Sequence, residues 1–255
     1  MIDGLRLAFG TLTALRVPPP QRVDTRVAAV AMTWAPVVTL VVGIPVVVGG
    51  TAVAWSALPP PVAAGLVVGA LGWVTRGLHL DGLADTADGL ASGQDPERGL
   101  TVMRRGDVGP AGVAAVAVVV LVDAACLAQL LGSVAGTVAA LTAVAASRHT
   151  LAWGCRSGMP RARADGLGAA VAQSVSRRRL ALGAVTMAAV ACAATATSGA
   201  GWAVGAATTA AAVGGGLVVQ RRARRRLGGI TGDVLGASVE VGLAAALVVA
   251  ATLTG

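Results

Sequence analysis

Long apolar runs separated by connections that alternate between arginine-rich and arginine-free decide what this chain can fold into. The runs lie near 27–50, 62–74, 108–131, 134–146, 180–197, 202–219 and 234–253. A helix crossing a bilayer needs about 20 consecutive apolar residues, and most of these runs reach that length or approach it. Connections at 56–61, 131–133 and 198–201 carry no arginine, while the N-terminus and segments 76–107, 147–179 and 221–233 hold all 20 basic residues, every one of them arginine. By the positive-inside rule the arginine-bearing side is cytoplasmic, with the N-terminus inside and the C-terminus outside. The expectation is an all-α, polytopic membrane helix bundle of about seven transmembrane helices, with short amphipathic helices at the cytoplasmic interface. The whole chain, 1–255, reads as a single integral membrane domain.

Composition agrees: 55% of residues are hydrophobic and 13% charged, against about 25% charged in a soluble domain. The net charge of +8 raises nucleic acid as a partner, but no basic surface interleaved with aromatics accompanies it, so none is expected. Cys126, Cys155 and Cys192 are odd in number and lack any CxxC spacing, which supports neither a disulfide framework nor a zinc site. At the start of the chain, Ile2, Leu5, Phe9 and Leu12 recur at helical spacing before Pro18, Pro19 and Pro20, so 1–20 reads as an interfacial segment. Arg16 interrupts the apolar run and no small-residue cleavage site follows, which argues against a signal peptide. Pro36 and Pro45 should kink the first span without breaking it.

Within this greasy chain, Arg76-Gly-Leu-His-Leu-Asp-Gly-Leu-Ala-Asp-Thr-Ala-Asp-Gly-Leu90 gathers Asp81, Asp85 and Asp88. On a helix, steps of four and seven residues turn about 40° forward and about 20° back, which puts all three on one narrow stripe. Clustered carboxylates repel, and a cation is the usual compensation. All-oxygen ligands suit Mg²⁺, which commonly combines one or two carboxylates with waters and substrate phosphates. Binding a diphosphate through metal is the chemistry this favours, against the blander reading of a solvated helix face.

A second acidic pair opens the last span. Asp233 and Glu240 are seven apart and so share a helical face; a charge as deep as Glu240 normally faces the bundle interior or a wet cavity. Together with Asp81, Asp85 and Asp88 they form the expected metal-ligand set. Gly228, Gly229, Gly232 and Gly236 leave room for backbone to approach substrate or a neighbouring helix. Asp123 lies toward the arginine-free side, where capping or an interhelical hydrogen bond is the expected role.

The stretch His79–Gly89 resembles the signature of the cobalamin 5′-phosphate synthase family, also called adenosylcobinamide-GDP ribazoletransferases. Leu15-Arg-Val-Pro18, Ala162-Arg-Ala-Asp-Gly-Leu-Gly168 and Gly228-Gly-Ile-Thr-Gly-Asp-Val-Leu-Gly-Ala237 match further family motifs in order, so the resemblance spans nearly the whole chain. Family members commonly carry Asp and then Arg where this chain has Arg105 and Asp107, an exchange that would keep an ion pair. The resemblance implies a Mg²⁺-dependent membrane transferase joining adenosylcobinamide-GDP to α-ribazole or its 5′-phosphate, with release of GMP. Segments 76–107 and 147–179 would carry the active site. Arg104, Arg148 and Arg163 are candidates for phosphate contacts, since guanidinium matches phosphate oxygens bidentately, and Gly232 for close substrate approach. His79, two residues before Asp81, is read as a general base or as a group that orients an aspartate.

Other classes fit less well. A CDP-alcohol phosphotransferase requires Arg after Ala in its Asp-Gly-x-x-Ala-Arg motif, where Asp85 follows Ala84 here. A membrane prenyltransferase shares the paired acidic motifs and Mg²⁺. A transporter would be expected to carry midplane acids and internal repeats, and no repeat is evident. The partners expected are the two small-molecule substrates and the lipid bilayer, with a homo-oligomer left open.

Overall fold

The computed structural model describes residues 1–254, and its regular structure is α-helical. The only β pairings among the described residues are two isolated bridges, Arg156 with Val175 and Arg161 with Ile230. Helix α1 (Ile2–Leu12) ends well before the triple proline, and α2 (Thr25–Thr33) starts on Asp24, whose side chain accepts a hydrogen bond from the Val27 amide. Beyond α2, Pro36 and Pro45 do more than kink the first span. They divide it into a 3-10 turn (Ala35–Val38), α3 (Thr39–Val42) and α4 (Ile44–Trp55), each proline sitting in the first turn of its piece, where its missing N–H costs nothing. The span therefore runs over Ala35–Trp55, later than the 27–50 expected.

Helix α5 (Pro60–Val74) meets α6 (Leu78–Ala91) at a bend of 89°. The turn is made by Arg76 and Gly77, both left-handed at φ 56° and 67°. A left-handed arginine is strained; two hydrogen bonds from its guanidinium to the carbonyls of Gly10 and Thr11, at 3.0 and 3.1 Å, hold it there and tie the bend to α1. A short α7 (Pro96–Val102) then leads to α8 (Pro110–Leu130) and α9 (Val134–Gly154). A six-residue α10 (Gly166–Val171) precedes α11 (Arg177–Thr197), α12 (Trp202–Leu227) and α13 (Gly232–Thr254).

Five helices are long and apolar enough to cross a membrane, or six if α5 and α6 count as one broken span, against about seven expected. The shortfall has two causes. Helix α5 holds only 15 residues before the bend, and α9, although 21 residues long, carries Arg148 and His149 into its interior and falls short in apolarity. Both arginine-rich runs near the end of the chain are helical: Arg221 to Arg226 form the last turns of α12, which stops at the left-handed Gly228.

Helix α13 is the axis of the bundle. It packs against α6, α8, α9, α10 and α12, and 72% of its most apolar stretch is buried, against 17% for α8. Small residues permit this. A Cβ on Gly215 would lie 2.9 Å from the Val241 carbonyl, and one on Gly242 would lie 2.8 Å from that of Ala212, so α12 and α13 touch backbone to backbone.

Candidate active site

Two segments that the sequence singles out meet where α6 crosses the start of α13. A Cβ on Gly82 would lie 2.7 Å from the carbonyl oxygen of Asp233, and one on Gly236 would lie 3.2 Å from the Cα of His79. Glycine at these positions lets the two backbones approach with Asp81, Asp85 and Asp233 on adjoining surfaces. The loop carrying the third segment is clipped on from above. Ile230 donates to the Pro160 carbonyl and Ala162 to the Ile230 carbonyl, both at 2.9 Å, while Ser157 and Val175 pair at the loop's base. Gly168 then sits so close to Thr231 that a Cβ would lie 2.6 Å from its carbonyl carbon.

Between these elements lies a cleft of about 250 Å³. Its polar wall comprises Asp81, Arg163, Asp165, Thr231 and Asp233, His79 stands on its inner side, and Leu12, Met32 and Leu151 line its floor. Arg163 is held from two directions: its guanidinium donates to the Leu100 carbonyl at 2.8 Å and lies 3.5 Å from Asp233 Oδ2. Thr231 donates to the same carboxylate oxygen at 3.2 Å and accepts from the Val234 amide, which caps α13. Asp165 pairs with Arg104 at 2.8 Å on the exposed rim.

Burial, followed by the charges of Asp81 and Asp233, pushes the Asp85 carboxyl up to about 6, with Arg163 opposing. A carboxyl raised by burial and further by its carboxylate neighbours marks a place where a cation would be welcome. Among the described residues no three His, Cys, Asp or Glu side chains stand close enough together to hold a metal ion by themselves. Any two of the hard oxygen donors of Asp81, Asp85 and Asp233 are nevertheless of the kind that Mg²⁺ takes, since it binds through one or two carboxylates and completes its shell with water and phosphate.

Several residues expected at this site lie elsewhere. Asp88 turns to the neighbouring helix: its two oxygens accept the amides of Gly109 and Gly112 at 2.7 and 2.9 Å, so it caps α8, whose first residue is proline. Glu240 shares a face with Asp233 but lies seven residues, about 10.5 Å, deeper along α13. There it faces His79 Nδ1 at 3.8 Å instead of the acidic cleft. Arg148 is 1% exposed and donates to Val144 and Ser147 of its own helix, out of reach of a phosphate in the cleft. Asp123 is neither a cap nor at the surface; it is buried, with Arg148 and Glu240 as its charged neighbours. Gly232 lines the cleft, but a Cβ there meets nothing nearer than 3.6 Å, so it is less constrained than Gly82 or Gly168. Arg105 and Asp107 form no ion pair among the described residues and both are exposed. Asp165 and Thr231 join the cleft wall from inside the motifs quoted above, although spacing alone gives no signal that singles them out.

The family model described as cobalamin-5-phosphate synthase matches residues 4–251. A curated relative from Nocardioides sp., named adenosylcobinamide-GDP ribazoletransferase, is 45% identical over 97% of both chains. Proteins of the same name from Frankia casuarinae and Syntrophobacter fumaroxidans are 39% and 31% identical, over 96% and 93% of this chain and 93% of their own. No solved structure gives a significant match.

Proposed function

The chain belongs to the cobalamin-5-phosphate synthase family, and from that premise we propose that it catalyses the reaction its relatives are named for, using Mg²⁺. The acceptor, α-ribazole or its 5′-phosphate, attacks through a hydroxyl the phosphorus nearest the corrinoid in adenosylcobinamide-GDP. A P–O bond forms, the bond to GMP breaks, and the hydroxyl proton leaves to solvent at the open mouth of the cleft. The observation that carries this reading is the meeting of Asp81, Arg163 and Asp233, from three separate family motifs, in one cleft.

Two of the carboxylates of Asp81, Asp85 and Asp233 would hold the metal, which when bound supplies charge neutralisation at the diphosphate. The remaining work falls to the chain itself. Phosphoryl displacement needs mainly positioning and charge compensation. Arg163, pinned by Leu100 and Asp233, offers a guanidinium whose orientation is already set. Arg104, ion-paired with Asp165 on the rim, would meet the outer phosphate or the nucleotide. His79 acts by position: an imidazole sealed at 2% exposure beside the Arg148 guanidinium is poorly placed to gain a proton. Its part is to seat α6 on α13 so that Asp81 faces the cleft. The arginine-bearing end, and with it the site, is assigned to the cytoplasmic face of a bacterial inner membrane.

The test is GMP release by the purified protein in lipid, given adenosylcobinamide-GDP and α-ribazole with Mg²⁺ or a chelator. Release that requires both acceptor and metal, with a cobalamin product, is the expected result. Folded protein that releases no GMP would overturn the assignment.

A further inference from the structure

On the opposite side of α9 from the cleft, α2, the 3-10 turn, α9 and α11 enclose a second groove, of about 540 Å³. Its walls are chiefly aliphatic, and Trp34, Leu182 and Val190 are 49%, 59% and 58% exposed, so it opens sideways where a bilayer would lie. Arg179, His149, Thr33 and Thr186 interrupt the apolar lining, and the first two are ordered by depth. Arg179 stands at the arginine-bearing rim. Four residues further along α11, about 6 Å deeper, Gly183 lies against the His149 ring; a Cβ there would be 3.2 Å from Cε1. His149 is 1% exposed, and its Nε2 has no hydrogen-bond partner. Below it, Met187 and Val190 continue the groove to about 16 Å from Arg179.

An unpartnered polar group at that depth is costly, and it calls for an acceptor or donor arriving with a ligand. A cation at the rim, polar groups one to two turns below, and an aliphatic channel beyond match the phosphate, ester carbonyls and acyl chain of a glycerophospholipid. The charge at the rim selects the anionic kind. Arg177, Arg178 and Arg179 follow one another, and none is in an ion pair among the described residues. We propose that this groove binds one anionic phospholipid, its phosphate on Arg179, its ester region at His149 and one chain along Leu182, Met187 and Val190. The proposal rests on the membrane reading of the fold and is independent of the reaction.

Trp34 in the groove wall supplies the readout. The delipidated full-length protein in detergent is titrated with phosphatidylglycerol or phosphatidylcholine brominated on the chains, and quenching is taken as the difference from Trp34→Phe. Phosphatidylglycerol is expected to quench Trp34 at the lower mole fraction. Arg179→Gln should weaken that binding about five-fold, the worth of one arginine at a lipid surface, and Arg178→Gln, outside the groove, by less. Arg179→Lys keeps the charge and should keep the preference, which guards against a folding defect in the glutamine variant. Equal quenching by the two lipids, an equal loss in Arg178→Gln, or loss of the preference in a folded Arg179→Lys protein would each overturn the proposal.

Discussion

Asp88, expected from the sequence as a metal ligand, caps α8 in the structure, and the Asp88→Ala protein distinguishes the two roles. As a metal ligand, Asp88 would be dispensable for folding and its loss would raise the Mg²⁺ requirement. As the cap of α8 it holds two backbone amides, at 2.7 and 2.9 Å, that have no other partner at a proline-led helix start. Hydrogen bonds to a charged group contribute about 1.5–3 kcal/mol each, and a lost N-cap typically costs about 1 kcal/mol. Because Asp88 is half-buried and water can reach part of the vacated site, about 3 kcal/mol for the pair is a fair expectation. In a chain of this size that corresponds to a fall in melting temperature of about 6–12 °C. Thermal unfolding followed by tryptophan fluorescence in detergent gives the first number, and the Mg²⁺ dependence of GMP release below the melting temperature gives the second. Asp88→Asn, which keeps one acceptor oxygen, should fall between wild type and alanine. An unchanged melting temperature together with a Mg²⁺ requirement raised about ten-fold, some 1.4 kcal/mol, would refute the capping argument and return Asp88 to the metal.

Four further outcomes are expected. Asp81→Asn and Asp233→Asn should each abolish GMP release while moving the melting temperature little, since neither carboxylate is needed to hold its helix; retained turnover in both variants would remove the metal-site proposal. The Asp85 carboxyl, raised from 3.8 to about 6, binds its proton more tightly folded than unfolded, so metal-free protein should lose stability as pH rises from about 4 through 6, and apparent Mg²⁺ affinity should fall as pH drops through about 6. Both trends should vanish in Asp85→Asn, as read by melting and by Mg²⁺ titration across that range. Gly82→Ala places a methyl 2.7 Å from the Asp233 carbonyl oxygen, so overpacking of about 1–3 kcal/mol and loss of activity are expected. Arg148→Leu removes the buried cation that acts on Asp123 and Glu240 from beyond ion-pair distance and should lower the yield of folded protein; wild-type yield would show that the three charges are not coupled.

The helical class, the apolar runs and the motif segments were legible because hydropathy and spacing are local properties. Helix α8 covers Pro110–Leu130 where 108–131 was expected, and α13 covers Gly232–Thr254 where 234–253 was expected. Depth and direction were not legible. Whether Asp88 faces the cleft or the start of α8 depends on where α6 points after the Arg76–Gly77 turn, and a left-handed arginine leaves no mark in a periodicity count. Arg148 looked like an interfacial arginine because the fourth apolar run ends at 146, yet α9 continues to Gly154 and carries it into the core. The same extension brings a cation opposite Asp123 and Glu240, which explains two acids that had no shared reason along the chain.

That buried group bears on how the site is kept in shape. Asp233 and Glu240 ride on one helix, the first at the cleft and the second about 10.5 Å below it, facing His79 of α6 at 3.8 Å. The α6–α13 crossing is fixed at two points, by the close approach of Gly82 at the Asp233 backbone and by that of Gly236 at the His79 backbone. With only the upper contact α6 could pivot about Gly82, and Asp81 would swing relative to Asp233. The contact of Gly236 with the His79 backbone removes that freedom. A catalytic site formed by the ends of helices from distant parts of the chain needs such a brace, because no β-sheet is present among the described residues to set the angles between them.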